Sequence, residues 1–311
     1  MRVAPLALGT MTWARDTEAH DAAEQLRDFV DAGGTLLDTA ASYADGACEE
    51  LIGSLLSRVV AREDVTLCTK AGVRRLADGS GTVDASRSNL LAGLDASLAR
   101  LGTDHVDVFL VASHDPLTPI EETVAALRHA VDSGRTRYVG LSNFPAWRTA
   151  QVATMLSGDV GLAAVEVEYS LVQRGIEREL LPAARDLGIG VLAWSPLGRG
   201  VLTGKYRRSV PADSRAASAH LAGFVAPYLG VEQAPVVEAL VTAADGLGAS
   251  PLEVALAWLC SRPGVSAAVL GARTPDQLRA ALGATRLELP PEIASALDEI
   301  DAPTLGYPEA R

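Results

Sequence analysis

Three side chains in the first quarter of the chain have the types needed for proton donation: Asp38, Tyr43 and Lys70. A tyrosine hydroxyl has an ordinary pKa of about 10, and it is a useful acid at neutral pH only when that pKa is lowered. A nearby lysine ammonium group has this effect, and a carboxylate can hold the lysine in place. The three residues therefore predict a site in which Tyr43 is the acid, Lys70 tunes it and Asp38 anchors Lys70.

Asp38 and Lys70 each end a short apolar run that is typical of a buried β-strand. Such runs predict strands at residues 4–8, 35–38, 65–69, 106–111, 138–141, 163–168, 190–193 and 267–270. Segments with helical periodicity, several of them ending at glycine, predict helices at residues 18–32, 47–60, 85–101, 120–133, 145–156, 177–187, 251–261 and 275–282. Strands and helices therefore alternate along the chain.

This alternation, with strands that are apolar on both faces, predicts a parallel sheet covered by helices. Eight strand–helix units fit a closed (β/α)8 TIM barrel better than an open doubly wound sheet. A long polar loop after the seventh strand, residues 205–230, and an extra C-terminal helix and tail, residues 291–311, depart from the pattern. No change in composition marks a second unit, so we expect residues 1–311 to form a single α/β domain with its chemistry at the carboxyl ends of the strands.

Composition argues against several classes of protein. The net charge of −12, from 39 acidic and 27 basic side chains, disfavours nucleic-acid binding because a phosphate backbone would be repelled. No apolar run is long enough to predict a membrane span, and the N-terminus lacks the pattern of a signal peptide. The three cysteines, Cys48, Cys68 and Cys260, are too scattered to predict disulfides or a metal site. We therefore expect a cytoplasmic protein without a bound metal.

In this context the sequence resembles the aldo-keto reductase superfamily, in particular its bacterial NADP-dependent members. The similarity extends from about residue 6 to residue 300, and the pieces that carry it besides Asp38, Tyr43 and Lys70 are LGTMTW at 8–13, DP at 115–116, TPIEET at 118–123, GLSNF at 140–144, EYSL at 168–171, WSPLG at 194–198, LTGKY at 202–206 and GART at 271–274. Each piece alone is weak, but their order and spacing are specific. The resemblance implies a TIM barrel, an NADP(H) cofactor and hydride transfer to a carbonyl-like carbon.

The resemblance also implies a set of cofactor-binding residues. Ser142 and Asn143 would hold the nicotinamide carboxamide, Trp194 would stack on the ring, and Arg273 would favour NADP(H) over NAD(H), since an arginine fork pairs well with a 2′-phosphate. The full set is Gly9, Thr10, Met11, Ser142, Asn143, Glu166, Trp194, Ser195, Pro196, Leu197, Gly198, Lys205, Arg215, Gly271, Arg273 and Gln277.

The chain departs from the family pattern at two important positions. Ala112 stands where the family usually has a histidine that orients the carbonyl group. His114 lies two residues later, and because residues two apart in a strand face the same side, it is a candidate to replace that histidine. Glu166 stands where the family commonly has glutamine. An ionised Glu166 would add negative charge near the nicotinamide, whereas burial would raise its pKa and favour the protonated form.

These residues predict an NADPH-dependent reductase of a carbonyl group in a small molecule, such as an aldehyde, a ketone, a keto-sugar or a specialised metabolite. Asp38, Tyr43, Lys70 and His114 are the candidate catalytic residues, and the candidate substrate contacts are Trp13, Tyr43, Ser113 and His114. Ala112 leaves two alternatives open: reduction of a conjugated C=C or C=N bond, and a non-catalytic NADP(H)-sensing regulatory subunit. We expect a monomer or weak oligomer with no nucleic-acid or membrane partner.

Overall fold

The computed structural model describes residues 2–75, 81–158, 160–304 and 306–307. Its strands are β1 (Leu6–Gly9), β2 (Leu36–Asp38), β3 (Thr66–Ala71), β4 (Val73–Arg75), β5 (Gly81–Val83), β6 (Val106–Val111), β7 (Thr136–Ser142), β8 (Leu162–Glu168), β9 (Gly190–Trp194) and β10 (Val265–Gly271). A closed barrel has the order β1-β10-β9-β8-β7-β6-β3-β2, and each neighbouring pair is parallel. The predicted TIM barrel is therefore confirmed.

Helices surround this barrel. They are α1 (Ala19–Asp31), α2 (Ala47–Leu55), α3 (Arg87–Leu101), α4 (Ile120–Asp132), α5 (Ala146–Leu156), α6 (Leu180–Asp186), α7 (Ala222–Val225), α8 (Ala234–Leu247), α9 (Pro251–Cys260), α10 (Pro275–Leu282) and α11 (Pro291–Ile300). The predicted C-terminal helix is confirmed as α11, and residues 308–311 of the predicted tail lie outside the described residues.

Four features differ from the predicted elements, and one of them is the short helix α7, which lies inside the loop predicted at residues 205–230. The helix predicted at residues 47–60 ends at Leu55, because Leu56 is extended and Ser57 has a φ of 69°. The antiparallel hairpin of β4 and β5 was not predicted. Helix α8 was not predicted either, since it follows the long loop rather than a strand and packs on α9 and α11.

The apolar core has two parts, one between the strands and the helices and a smaller one inside the barrel. The inner part consists of Ala7, Leu36, Cys68, Val108, Leu110, Ala164, Leu192, Ala267 and Val269. Seven barrel strands, all except β7, contribute to this inner part. Because residues two apart in a strand face the same side, the residue two positions after the last inner residue of each of these strands continues the layer at the carboxyl end of the barrel. These residues are Gly9, Asp38, Lys70, Ala112, Glu166, Trp194 and Gly271, and all of them line one cavity.

Among the described residues, no single helix is long and apolar enough to cross a membrane. Helices α8 and α9 reach that length and apolar content only when they are taken together, and the chain bends by 100° between them.

Strand β7 has a close contact that we expect to tolerate only glycine. A Cβ atom at Gly140 would overlap the carbonyl oxygen of Ala164 and lie 2.5 Å from Leu110 Cδ2. Gly140→Ala should therefore lower the free energy of unfolding by about 1–3 kcal/mol, the usual cost of overpacking. Urea denaturation measures this change. Gly161→Ala is the matched control, because no atom lies within 4 Å of its Cβ position. Equal stability of the two variants would contradict this packing argument.

Candidate active site

The site is centred on Lys70, whose ammonium group lies inside the carboxyl end of the barrel. Lys70 Nζ donates hydrogen bonds to Asp38 Oδ1 and, over 3.0 Å, to Glu166 Oε2. It also lies 5.6 Å from the centre of the Tyr43 ring. The side chains of Lys70, Asp38 and Glu166 are only 5%, 2% and 3% exposed. The three residues that predicted a proton-donating site are therefore together, and Glu166 joins them.

The local structure explains how these side chains meet. Asp38 is the last residue of β2, and the chain then makes a tight turn at residues 43–46, in which Ala44 and Asp45 have positive φ angles of 48° and 54°. This turn places Tyr43 beside Lys70. The hydroxyl of Thr10 donates to the carbonyl oxygen of Asp38 over 2.9 Å and fixes the end of that strand. Glu166 is the cross-strand partner of Ser142, so β8 delivers it to the same layer.

Burial and the two carboxylates together determine the protonation of Lys70. Burial disfavours the charged amine, but Asp38 and Glu166 outweigh that cost and raise the pKa of Lys70 well above its ordinary value. Lys70 is therefore charged at neutral pH. The ligand atoms of Asp38, Cys68 and Glu166 lie within 4.8 Å of one another, and two of these residues, Asp38 and Glu166, bind the ammonium group of Lys70.

The pKa of Glu166 is raised to about 8, first by burial and then by the neighbouring Asp38 carboxylate, while Lys70 acts in the opposite direction. Glu166 therefore holds a proton through most of the neutral range. The prediction that burial raises the pKa of Glu166 is confirmed.

Tyr43 differs from its prediction. Burial raises its pKa above the ordinary value, Lys70 opposes this rise, and the carboxylates of Asp38 and Glu166 add to it. The expectation that Lys70 brings the pKa below 10 is therefore wrong for this structure, because burial of the hydroxyl outweighs the effect of Lys70 and the two carboxylates add to that burial effect. Tyr43 is therefore a protonated hydroxyl at neutral pH, so it has a proton to donate, but it is a weaker acid than the sequence predicted, and Lys70 is the neighbouring group that lowers its pKa.

The remaining predicted residues separate into those that line the cavity and those that do not. The cavity has a volume of about 560 Å³, and it is lined by Gly9, Met11, Asp38, Tyr43, Lys70, Ser142, Asn143, Glu166, Trp194, Ser195, Pro196, Leu197, Lys205, Arg215, Gly271, Arg273 and Gln277. The residues that do not line it are Thr10, Trp13, Ser113, His114 and Gly198.

His114 is the main correction. Strand β6 ends at Val111, so the same-side argument for residues two apart does not reach His114. Its Nε2 accepts a 3.2 Å hydrogen bond from Arg148, and its ring packs edge-on against Phe144 and Trp147. Ala112 lines the cavity instead. His114 is thus a residue of the rim, not a replacement for the missing histidine.

Two other predicted substrate contacts, Trp13 and Ser113, do not line the cavity, and two predicted cofactor contacts, Thr10 and Gly198, lie behind its wall. Trp13 is fully buried and donates through Nε1 to Gln25 over 3.1 Å, so it belongs to the core. Ser113 follows the strand end beside His114 and does not face the cavity. Thr10 supports the end of β2, as described above. Gly198 closes a turn on the Ser195 carbonyl, where a side chain would collide with Val172.

The wall near Trp194 is held by a chain of polar contacts. Trp194 Nε1 donates to Asn143 Oδ1 over 3.1 Å, and Asn143 Nδ2 donates to Ser142 Oγ over 3.0 Å. Asn143 and Ser195 have positive φ angles of 57° and 52°. Left-handed backbone at non-glycine residues costs free energy and is concentrated at functional sites. This wall is therefore shaped for binding rather than for strand geometry.

At the far end of the cavity, three cations lie together: Lys205, Arg215 and Arg273. Burial lowers the pKa of Lys205, and Arg215 and Arg273 lower it further although Tyr206 opposes them. Among the described residues, no carboxylate forms a salt bridge with any of the three. The cluster therefore fits a ligand with several negative charges, such as the phosphates of a dinucleotide.

The sequence analysis missed Arg199 in this wall, whereas the loop at residues 221–229, which contains Phe224, is one that the sequence offers as an apolar wall. Arg199 has a positive φ of 57°, forms two hydrogen bonds with Glu168 and packs 4.0 Å from the centre of the Phe224 ring. Phe224, from helix α7 in the long loop, also lines the cavity. The signal for Arg199 was its position between Gly198 and Gly200, directly after the Trp194 turn.

Comparison with known proteins agrees with this site. The model of the aldo/keto reductase family matches residues 5–302, so the chain belongs to that family. Members of the family generally use NAD(P)H. The chain is 34% identical to the uncharacterized oxidoreductase YrpG of Bacillus subtilis, over 96% of this chain and 93% of YrpG.

Two further relatives carry different functional names. A probable voltage-gated potassium channel subunit beta of Oryza sativa is 35% identical, over 89% of this chain and 86% of the relative. The L-glyceraldehyde 3-phosphate reductase of Escherichia coli is also 35% identical, over 81% of this chain and 75% of the relative. The family thus includes both named reductases and named channel subunits.

The raised pKa of Glu166 predicts a pH-dependent effect on stability. In the folded chain this carboxyl group keeps its proton up to about pH 8, whereas a glutamate in the unfolded chain loses it near 4.5. Between these values ionisation favours the unfolded state, by up to about 1.4 kcal/mol for each pH unit. Glutamine removes this contribution, so the stability of Glu166→Gln relative to the native chain should rise from pH 5 to pH 8.

Urea denaturation of both proteins at several pH values measures this difference. The substitution also changes one contact of Lys70, which shifts the free energy of unfolding by the same amount at every pH. The quantity to compare is therefore the change with pH of the difference in free energy of unfolding between the two proteins. A difference that stays constant from pH 5 to pH 8 would contradict the proposed protonation of Glu166.

Proposed function

We propose that the chain is an NADPH-dependent oxidoreductase that reduces a carbonyl group in a small molecule, with Tyr43 as the general acid. One observation supports this most strongly: a single cavity has Tyr43 beside the buried Lys70–Asp38 pair at one end and, at the other, three cations that form no salt bridge with a carboxylate in the part of the chain that the structure describes. The first end suits proton donation, and the second suits phosphate groups. A dinucleotide would span the two.

Tyr43 supplies the proton in this proposal. A carbonyl oxygen gains negative charge as its carbon accepts a hydride, and a nearby hydroxyl donor stabilises that charge by giving up its proton. The charged Lys70 then stabilises the tyrosinate that is formed. Asp38 keeps Lys70 in position and, by its hydrogen bond, in its charged form. Tyr43 is thus the catalytic residue, and Lys70 and Asp38 act through it.

The residues of the cavity fit NADPH, which would supply the hydride from its nicotinamide ring. Ser142 and Asn143 have the polar groups to hold the carboxamide, and Trp194, which lines the same cavity, would stack on the ring. Lys205, Arg215 and Arg273 would bind the phosphates, and an arginine in this cluster favours the additional 2′-phosphate of NADPH.

Ala112 bears on the kind of bond that is reduced. It lines the cavity and has no polar side-chain atom to orient a carbonyl oxygen, so orientation depends on Tyr43 and on the shape of the substrate. Reduction of a conjugated C=C or C=N bond is the alternative within this mechanism. A non-catalytic, cofactor-sensing role is the second alternative, supported by the similarity to proteins named as channel subunits.

Replacing the acid tests the proposal. Tyr43→Phe should lower kcat for NADPH oxidation with 4-nitrobenzaldehyde by about 100-fold or more, because the alkoxide loses its proton donor. NADPH binding, followed by fluorescence, should remain, since Phe retains the ring. Tyr138→Phe is the matched control, because Tyr138 is exposed and does not line the cavity. Native turnover by Tyr43→Phe would show that Tyr43 is not the acid.

A further inference from the structure

Two carboxylates share one ammonium group in this site. Asp38 from β2 and Glu166 from β8 both bind Lys70, and their oxygen atoms lie within 4.8 Å of each other. One lysine can neutralise only one of them. If both were ionised, the buried cluster would carry a net charge of −1, which is costly away from water. The cluster therefore has two states, a neutral one with a proton on the carboxylates and an anionic one without it.

The properties of the groups around Glu166 show which group of the cluster gains or loses a proton near neutral pH. These groups are Asp38 from β2, Lys70 and Cys68 from β3, and Tyr43 from the turn after β2. Lys70 remains charged, and the raised pKa values of Cys68 and Tyr43 keep both neutral. Near neutral pH, Glu166 is thus the group in this cluster that changes its charge, with a pKa of about 8.

Glu166 also adjoins the wall that we assign to the nicotinamide. It is the cross-strand partner of Ser142, and its carbonyl oxygen accepts a 3.0 Å hydrogen bond from the backbone N–H of Asn143. Glu166, Ser142 and Asn143 line the same cavity. A change of charge on Glu166 would therefore act on the ring end of the cofactor. The oxidised nicotinamide ring carries a positive charge, and the reduced ring is neutral.

We propose that Glu166 makes this site discriminate between the two redox states of the cofactor, with its ionised form favouring the oxidised, positively charged ring. This inference rests on the proposed function, because it requires a nicotinamide at this end of the cavity. At low pH, Glu166 is protonated and both forms of the cofactor meet a neutral cluster. At high pH, the anionic cluster attracts NADP+ and has no such effect on NADPH.

The effect is reciprocal, because linked equilibria act in both directions. If an ionised Glu166 strengthens NADP+ binding, then bound NADP+ must promote the ionisation of Glu166. Binding of NADP+ at pH 7 should therefore release a proton, and binding of NADPH should release less. Release of product NADP+ would correspondingly be slower at high pH than at low pH.

The test compares the native chain with Glu166→Gln by titration calorimetry, using NADP+ and NADPH at pH 6.5 and pH 9. In the native chain, the ratio of Kd for NADPH to Kd for NADP+ should rise by about tenfold between these pH values, which corresponds to about 1.4 kcal/mol. In Glu166→Gln the ratio should be constant. Titrations at pH 7 in two buffers with different ionisation enthalpies should show proton release on NADP+ binding in the native chain alone.

The control is Asp104→Asn, which removes one negative charge at the opposite end of the barrel, where Asp104 is 94% exposed. It should retain the native pH dependence. A pH-independent ratio in the native chain, with both cofactors bound, would overturn this inference and leave the proposed function standing. The same holds if Glu166→Gln keeps the native pH dependence. Failure of the native chain to bind either cofactor would overturn both.

Discussion

The charge balance around Lys70 is the constraint on which the rest of the site depends. An ammonium group buried at the end of a barrel must be paired, and Asp38 and Glu166 pair it from two strands that are not neighbours. This arrangement requires the barrel to be closed, since β2 and β8 meet only across its interior. It also affects the pKa of Tyr43. Burial raises the pKa of Tyr43, Lys70 opposes this rise and the two carboxylates add to it, so Tyr43 stays protonated.

The same layer of side chains joins the fold to the chemistry. Seven of the strands fill the barrel with apolar side chains, and the residue two positions later on each of them lines the cavity. Leu36 is followed by Asp38 in this way, and Cys68 by Lys70. The polar residues thus stand on a packed apolar floor, which excludes water from beneath the ion pairs and strengthens them. On the same strand, one residue therefore packs the barrel core and the residue two positions later forms part of the reactive site.

Much of this organisation could be predicted from the sequence. The eight barrel strands were visible as short apolar runs, and the one at Val106–Val111 has the predicted bounds. The grouping of Asp38, Tyr43 and Lys70 followed from their places at strand ends. These features depend on local patterns and on one general rule for barrels, so the sequence contains them directly.

Other features depend on contacts between distant strands, which no local pattern encodes. The hydrogen bond between Glu166 and Lys70 arises from the register and closure of the barrel. Glu166 adds a second carboxylate near Tyr43, whose pKa is raised mainly by burial. The prediction for His114 failed because a strand rule was applied beyond Val111, where the strand ends. Helix α8 was not predicted because the alternation of strands and helices places each helix after a strand, whereas α8 follows a long loop.

The most direct test of carbonyl reduction by this site follows the hydride itself. NADPH with deuterium at the transferable position of its nicotinamide would be incubated with the native chain and an unsaturated ketone, 4-phenyl-3-buten-2-one, and the product analysed by NMR. Our account predicts an allylic alcohol with deuterium on the carbinol carbon. A saturated ketone with deuterium at the β carbon would contradict carbonyl reduction and favour the C=C alternative. Absence of transfer to this ketone and to 4-nitrobenzaldehyde would contradict a catalytic role.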